Sequence, residues 1–237
     1  MIPVIYENNE IFIIDKPAGL AVQGGQGVVH SVDSDFAKQT GQKVYLVHRL
    51  DKDTSGLMIV AKNSTAAGKW TKIIGSKIAR KEYLALCAGR LNPKNGVIKE
   101  NIVQHGEEKS AVTLYSVEKE WNVTYEGENG VEEIPLSLIR LQLETGRMHQ
   151  IRIHLAKNGC PIAGDDQHGN FKLNKLLKKV CKIKRLQLAA VRLTIPLEGK
   201  ERVFEVKEPF QILFIIYLIC LLQKVIFLTM QTLMVQS

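Results

Sequence analysis

A cluster of charged and hydroxyl-bearing side chains lies near the start of the chain, at residues 48–56, in the order His-Arg-Leu-Asp-Lys-Asp-Thr-Ser-Gly. The segments on either side, 44–47 and 57–61, are short and rich in Val, Leu and Ile, which is typical of buried strands. Because such polar groups cannot be buried unpaired, the cluster is expected at a strand end. Arg49 and Lys52 flank Asp51, and neighbouring cations favour an ionised carboxylate. Asp51 is therefore a candidate nucleophile or base in a setting that would attract a polyanion.

Two other interpretations of the cluster use the same acidic residues. An aspartate between two strands commonly forms the turn itself. Asp51, Asp53 and Ser55 also have the spacing of the first half of an EF-hand calcium loop, but such a loop must close on a bidentate Glu. The closing position is Lys62, so calcium binding is rejected. A turn former and a reactive carboxylate both remain open.

The composition is typical of a folded protein with a polyanionic partner. The chain has 237 residues, of which 45% are hydrophobic and 24% charged, and its net charge is +8 with a pI of about 9.3. The four cysteines include no Cys-x-x-Cys pair, which argues against a zinc site or a disulfide framework. Reduced thiols in a cytoplasmic protein are expected. The N-terminal segment lacks the pattern of a secretory signal.

Apolar patterns predict the elements that would support the cluster. Residues 11–14 are expected to form a buried strand, and residues 64–75 a helix capped by Asn63 or Ser64. The segment 80–88 is expected to form a strand. Its alternation places Tyr83, Ala85 and Cys87 on one face. Further strands are predicted at 111–117, 134–143 and 186–195, and a polar loop or hairpin at 121–133.

A second basic site is predicted where a strand turns into a helix. Thr145 is expected to cap a helix that starts at Met148 and closes at Gly159. The helix dipole disfavours a cation at this end, so Arg147 is explained better if it meets a carboxylate or a phosphate there. His149 and His154 fall on different faces of this helix, so a metal-binding pair is not expected.

Two segments in the last third of the chain have unusual compositions. Residues 171–185 contain seven Lys and Arg side chains, which predicts a helix with a basic face that is either solvated or in contact with an RNA backbone. Residues 212–222 form an uninterrupted apolar run that is too short to span a bilayer. A docked helix or a poorly packed appendage is favoured there, and membrane association is the alternative.

Four blocks of the sequence resemble, in the same order, the motifs of the RluA family of RNA pseudouridine synthases. They are 15–25, which begins Asp-Lys-Pro-Ala-Gly, 48–62, which contains His-Arg-Leu-Asp, 80–89 around Tyr83, and 143–165, which contains Gly-Arg-Met-His-Gln-Ile-Arg. The resemblance covers residues 4–206. The Val-Gln-Gly-Gly sequence of the first block is most similar to the RluC branch, which modifies large-subunit ribosomal RNA.

This resemblance implies an α+β fold, with a mixed, mostly antiparallel sheet, flanking helices and a central cleft. It implies that Asp51 is the catalytic aspartate, and whether Asp51 attacks the sugar, adds to the base or removes a ribose proton stays open. Arg147 matches the arginine that pairs with the aspartate. Tyr83 matches the tyrosine that stacks on the target base. Arg49 resembles the arginine that fills the space of the flipped nucleotide, with a phosphate contact as the alternative.

The resemblance also implies that uridine in 23S ribosomal RNA is isomerised without a cofactor or a metal. A catalytic domain at 1–209 and an atypical tail at 210–237 are expected, in a monomeric cytoplasmic enzyme. The branch normally carries an N-terminal S4 RNA-binding domain that this sequence does not show, so RNA targeting is expected to be supplied elsewhere. A catalytically impaired RNA-binding remnant is the alternative function.

The sequence departs from the family pattern at two further places. The family usually has Tyr-Gly after the Gly-Asp of the fourth block, where this chain has Gln167, His168 and Gly169. It also usually has Leu-His-Ala near the last strand, where this chain has Leu188, Ala189 and Ala190.

Overall fold

The computed structural model describes residues 1–128, 130–207 and 209–210. Apart from Phe210, which is buried, the expected tail at 210–237 lies outside the described residues. The domain boundary at residue 209 therefore stays a prediction.

A ten-stranded mixed sheet organises the described chain. Its strands are β1 (Val4–Glu7), β2 (Ile11–Lys16), β3 (Tyr45–Leu46), β4 (Ser55–Ala61), β5 (Arg80–Ala88), β6 (Asn95–Lys99), β9 (Val112–Gly127), β10 (Gly130–Leu143), β11 (Leu188–Leu197) and β12 (Lys200–Glu205). They lie in the order β1-β2-β4-β11-β5-β10-β9-β6, with β3 paired to β4 and β12 paired to β11. The pair β4–β11 is parallel and the other pairs are antiparallel. Strands β7 (Ile102–Gln104) and β8 (Glu107–Lys109) form a separate hairpin.

Helices cover both faces of the sheet. They are α1 (Val32–Thr40), α2 (Ser64–Gly75), α3 (Gln150–Lys157) and α4 (Phe171–Val180). One face packs against α1 and α3 in a single apolar core, and the opposite face packs against α2 at one end and α4 at the other. The predicted α+β fold is confirmed. None of the described helices is long and apolar enough to cross a membrane.

Strand β5 shows how the alternation of side chains assigns residues to the two faces. Tyr83, Ala85 and Cys87 belong to the core beneath α1 and α3, whereas Leu84 and Leu86 belong to the core beneath α4. The predicted face of Tyr83 is therefore confirmed, because successive side chains of a strand point to opposite sides.

The parallel pairing of β4 and β11 is short and depends on a glycine. Only Ser55 and Gly56 of β4 pair with β11, at Ala189 and Ala190. Gly56 has φ +108°, and a Cβ atom there would lie 2.2 Å from the carbonyl oxygen of Ala190. A side chain is therefore excluded by the close approach of the two backbones. Beyond this point β12 takes the place of β4 beside β11.

Most local predictions agree with the structure. Asn63 caps α2 by accepting a hydrogen bond from the amide of Ala66 at 2.8 Å, and this helix has the predicted range. Of the segment predicted to be a polar loop or hairpin, residues 121–127 lie in β9 and residues 130–133 lie in β10, and the two strands pair with each other. The helix expected to start at Met148 starts at Gln150 instead.

Candidate active site

A cavity of about 470 Å³ opens on the face of the sheet that carries Tyr83. Its lining includes all four residues predicted from the sequence, namely Asp51, Tyr83, Arg147 and Arg49. Asp51 lies in the loop between β3 and β4, where the amide of Thr54 donates to its carbonyl oxygen at 3.1 Å. Asp51 is therefore part of a turn, and its carboxylate also faces a cavity of the size that holds a small molecule or a nucleoside.

The strand register explains why Asp51 and Tyr83 share this cavity. Gly56 of β4 pairs with Ala190 of β11, and Ala190 pairs in turn with Tyr83 of β5. The loop that enters β4 is thereby brought to the end of the strands next to the Tyr83 ring. Burial raises the pKa of the Tyr83 hydroxyl well above its ordinary value, and the nearby charge of Asp51 raises it further. Tyr83 is therefore a neutral, largely buried aromatic surface beside the carboxylate.

Two cationic or polar side chains approach the carboxylate of Asp51. Nη1 of Arg152 is 3.8 Å from its Oδ2, and Nε2 of His149 is 3.9 Å from its Oδ1. The expected ion pair between Asp51 and Arg147 is absent from the described residues. Nε of Arg147 instead donates to the carbonyl oxygen of Ser110 at 3.1 Å, and its side chain is exposed at the cavity rim. The pairing prediction was therefore wrong about which arginine faces Asp51.

Arg152 is held rigidly because it forms a buried pair with Asp165. Its Nε and Nη2 donate to the two carboxylate oxygens of Asp165 at 2.8 and 2.7 Å. Burial is the largest single influence and opposes the charge of both groups, but the mutual hydrogen bonds, the attraction of nearby opposite charges and the backbone amides that bond Asp165 together outweigh it. The pKa of Arg152 is therefore raised and the pKa of Asp165 is lowered. The bidentate geometry leaves Nη1 of Arg152 pointing toward Asp51, so Arg152 supplies a fixed positive charge there.

The conformation of the turn before α3 places Arg152, rather than Arg147, beside Asp51. Gln150 is buried, and its Oε1 accepts from the amide of Arg147 at 3.0 Å and from the hydroxyl of Thr145 at 2.8 Å. Its Nε2 donates to the carbonyl of Val112 at 3.0 Å. Thr145 therefore does not cap the helix, and His149 occupies the N-cap position with φ +55°. This left-handed backbone is uncommon outside glycine and places the His149 ring next to Asp51.

Lys16 supports the turn that contains Asp51, and its side chain is completely buried. Its Nζ donates to the carbonyl oxygens of Leu20, Lys52 and Pro17 at 2.8, 2.9 and 3.0 Å. It thus links the Asp-Lys-Pro block to the turn that contains Asp51. Burial lowers the pKa of Lys16 to about 8, with the nearby carboxylates, Asp53 first, acting in the opposite direction.

Two polar atoms of the cavity lining are buried without a hydrogen-bond partner in the part of the chain that the structure describes. They are Nδ1 of His48 and the hydroxyl of Thr54. Nε2 of His48 accepts from the amide of Ile59 at 3.0 Å, so Nδ1 carries the ring proton. Burial and the charge of Lys81 keep the pKa of His48 well below its ordinary value. Both atoms are exceptions to the rule that buried polar groups have a hydrogen-bond partner.

The comparisons with known proteins agree with this geometry. The family profile described as RNA pseudouridylate synthase matches residues 10–157. A ribosomal large subunit pseudouridine synthase C from Rickettsia prowazekii is 35% identical over 221 residues, covering 87% of this chain and 68% of the relative. The chain belongs to the RNA pseudouridylate synthase family. The predicted family and enzyme class, an isomerase, are thereby confirmed.

Other relatives extend this result to the fold. The corresponding enzyme from Rickettsia felis is 36% identical over 210 residues, covering 87% of this chain and 68% of the relative. The solved structure of human RNA pseudouridylate synthase domain containing 1 superposes with a TM-score of 0.71 at 22% identity, covering 89% of this chain and 84% of that structure. At that identity the likeness concerns the fold alone.

Several residues of this pseudouridine synthase site were not singled out from the sequence. Arg152 and Asp165 stand inside the fourth block, and Lys16 inside the first, so the blocks contained them without distinguishing their roles. Nothing in the sequence indicated a role for Gln150, because a glutamine near the start of a helix is common. No group of three or more His, Cys, Asp and Glu side chains in the described ranges is arranged to hold a metal ion.

Proposed function

We propose that this pseudouridine synthase isomerises uridine in large-subunit ribosomal RNA, with Asp51 as its catalytic residue. The observation that carries the proposal is one carboxylate in a nucleoside-sized cavity, opposite a buried tyrosine and 3.8 Å from an anchored arginine. In this isomerisation the bond between C1′ and N1 breaks, a bond between C1′ and C5 forms, the hydrogen at C5 leaves as a proton, and N1 keeps the electron pair of the broken bond and takes up a proton from the solvent. The names of the relatives support the choice of ribosomal RNA.

Different residues of the cavity lining suit contacts with different parts of an extruded uridine. Tyr83 offers its ring to the flipped base, and such stacking contributes about 1–3 kcal/mol per base. Arg152 holds the Asp51 carboxylate in place as an anion. Arg147 and Arg49 are both exposed at the rim of the cavity, so they suit contacts with the sugar–phosphate backbone.

The basic helix α4 is a second candidate contact for RNA. Its apolar side packs on the face of the sheet opposite to Tyr83, while Asn174 on the same helix donates to the carbonyl of Asp165 at 2.9 Å. The start of α4 is therefore adjacent to the site, and the helix carries Lys172, Lys175, Lys178 and Lys179. A strand of RNA that follows these lysines would be held by salt-sensitive phosphate contacts.

The decisive test compares two aspartates of the same turn. RNA transcripts carrying uridine tritiated at C5 are incubated with wild type, Asp51→Asn and Asp53→Asn. We expect Asp51→Asn to release tritium about 1,000-fold more slowly or worse. Asp53 is exposed and does not line the cavity, so Asp53→Asn should stay within about threefold of wild type.

The substrate class is tested in the same assay with transcripts of large-subunit and small-subunit ribosomal RNA. Faster release from the large-subunit transcript supports the proposal. Release that survives in Asp51→Asn would remove Asp51 from the mechanism. Salt-sensitive RNA binding by the wild type without any release would instead identify an RNA-binding remnant.

We further propose a monomeric enzyme in the reducing cytoplasm that needs no metal or cofactor. In the described residues Cys87 and Cys160 are buried thiols that form no disulfide bond, which suits a reducing compartment. Light scattering should give the monomer mass of 26.6 kDa, and tritium release should persist after treatment with a chelator. A dimer mass or chelator-sensitive activity would contradict this part of the proposal.

A further inference from the structure

A second histidine lies directly behind His149 at the active site. Nδ1 of His149 and Nε2 of His168 are 2.8 Å apart, and their ring planes meet at 74°. The other nitrogen of the same ring, Nε2 of His149, is 3.9 Å from Oδ1 of Asp51. The two imidazoles and the carboxylate therefore form a line that starts in the loop after Asp165 and ends at the reactive group.

Only one proton can lie between the two facing nitrogens, and electrostatics decides which ring carries it. If a neutral His149 donated from Nδ1, its Nε2 would present a lone pair to the carboxylate of Asp51, which is unfavourable. If His168 donates from Nε2, then Nδ1 of His149 accepts and Nε2–H of His149 points toward Asp51. In the second arrangement the hydrogen bond between the two rings forms, and an N–H group of His149 faces the carboxylate of Asp51.

The charges around the pair favour this neutral arrangement. Asp51 faces His149, while Arg152, Asp165 and Asp51 act on His168. Burial and the positive charge of Arg152 lower the pKa of His168. One added proton would leave the geometry intact, because a protonated His149 donates from both nitrogens and His168 can then accept. Adding a second proton would set two donors against each other and break the contact.

We propose that His168 is a positioning residue that holds His149 with its Nε2–H toward Asp51. The carboxylate then keeps one orientation, with Oδ1 facing His149 and Oδ2 facing Arg152. The inference rests on the proposed function, and it adds a residue that acts on Asp51 only through another side chain.

The test replaces the donor with two rings that differ by one hydroxyl group. His168→Phe removes the hydrogen bond, whereas His168→Tyr offers an O–H to Nδ1 of His149 from a half-buried position. We expect His168→Phe to lower kcat about tenfold, with the KM for RNA changed less than about twofold. His168→Tyr should recover most of the lost kcat.

The comparison of the two variants separates positioning from packing, because both replace the imidazole with a large aromatic ring and only tyrosine restores a hydrogen-bond donor. Equal losses of kcat in both variants, or a wild-type kcat in His168→Phe, would overturn the proposal.

A readout that does not depend on activity separates this inference from the proposed function. Nitrogen-15 NMR of the wild type at neutral pH should show His149 protonated at Nε2 and unprotonated at Nδ1, with His149→Gln providing the assignment. In His168→Phe both tautomers should be present. The opposite tautomer in wild type overturns the role of His168, whereas an absence of pseudouridine formation with the expected tautomer overturns only the proposed function.

Discussion

The buried pair of Arg152 and Asp165 gives the sharpest prediction about stability and catalysis together. The two side chains are joined by hydrogen bonds of 2.7 and 2.8 Å, and the residues are only 5% and 2% exposed. Removing one member of such a pair leaves the other charge buried without its partner, which typically costs about 3–5 kcal/mol. We therefore expect Asp165→Asn to lower the free energy of unfolding by about 3–5 kcal/mol.

The same substitution should slow catalysis, because Asp165 aims Arg152 at Asp51. We expect at least about a tenfold lower kcat in the tritium-release assay, measured where the variant is fully folded. Urea unfolding of wild type, Asp165→Asn, Arg152→Met and the double variant gives a thermodynamic cycle. A coupling energy of about 2 kcal/mol or more is expected between residues joined by two charge-assisted hydrogen bonds.

A half-exposed ion pair on the same sheet provides the matched control. Arg140 bonds Glu82 and Glu118, with side chains that are 22–35% exposed. Glu118→Gln should cost no more than about 1 kcal/mol and leave kcat unchanged, because solvent screens such pairs. If Asp165→Asn cost less than about 1 kcal/mol, or the cycle gave a coupling below about 0.5 kcal/mol, the assigned role of the buried pair would be refuted.

Two further predictions concern the support of the Asp51 turn. Lys16→Met removes the buried donor of three carbonyl oxygens and should destabilise the fold by about 2–4 kcal/mol near neutral pH. Because folding lowers the pKa of Lys16 to about 8, the unfolded state binds more protons above that pH. Wild-type stability should therefore rise relative to Lys16→Met between pH 8 and about 10.5, and a constant difference would contradict the assignment. Gly56→Ala should lower the urea midpoint strongly, because its Cβ would lie 2.2 Å from a backbone oxygen, whereas Gly25→Ala, with nothing within 4 Å, should have little effect. Equal effects of the two alanine substitutions would contradict the close approach of β4 and β11.

Local signals in the sequence were enough for the elements with strong patterns. The side chain of Asn63 before an apolar helical stripe predicted α2 and its cap, and the alternation in 80–88 predicted β5 and the face of Tyr83. The helix α1 and the strand β12 were not predicted. Only two residues of α1 are fully buried, and β12 is largely exposed, so both depend on contacts with the sheet rather than on a pattern of their own.

The sequence by itself also determined the family and the carboxylate at its centre, because the four blocks preserve residue types in order along the chain. It did not determine which arginine faces Asp51. Arg147 and Arg152 lie in the same block. The left-handed backbone at His149, the hydrogen bonds of Gln150 and the carboxylate of Asp165 place Arg152 beside Asp51. The donor at Lys16 and its acceptor at Lys52 are likewise distant in the chain. Such contacts exist only once the sheet has brought distant segments together, so the tertiary structure alone decided the electrostatic surroundings of the aspartate.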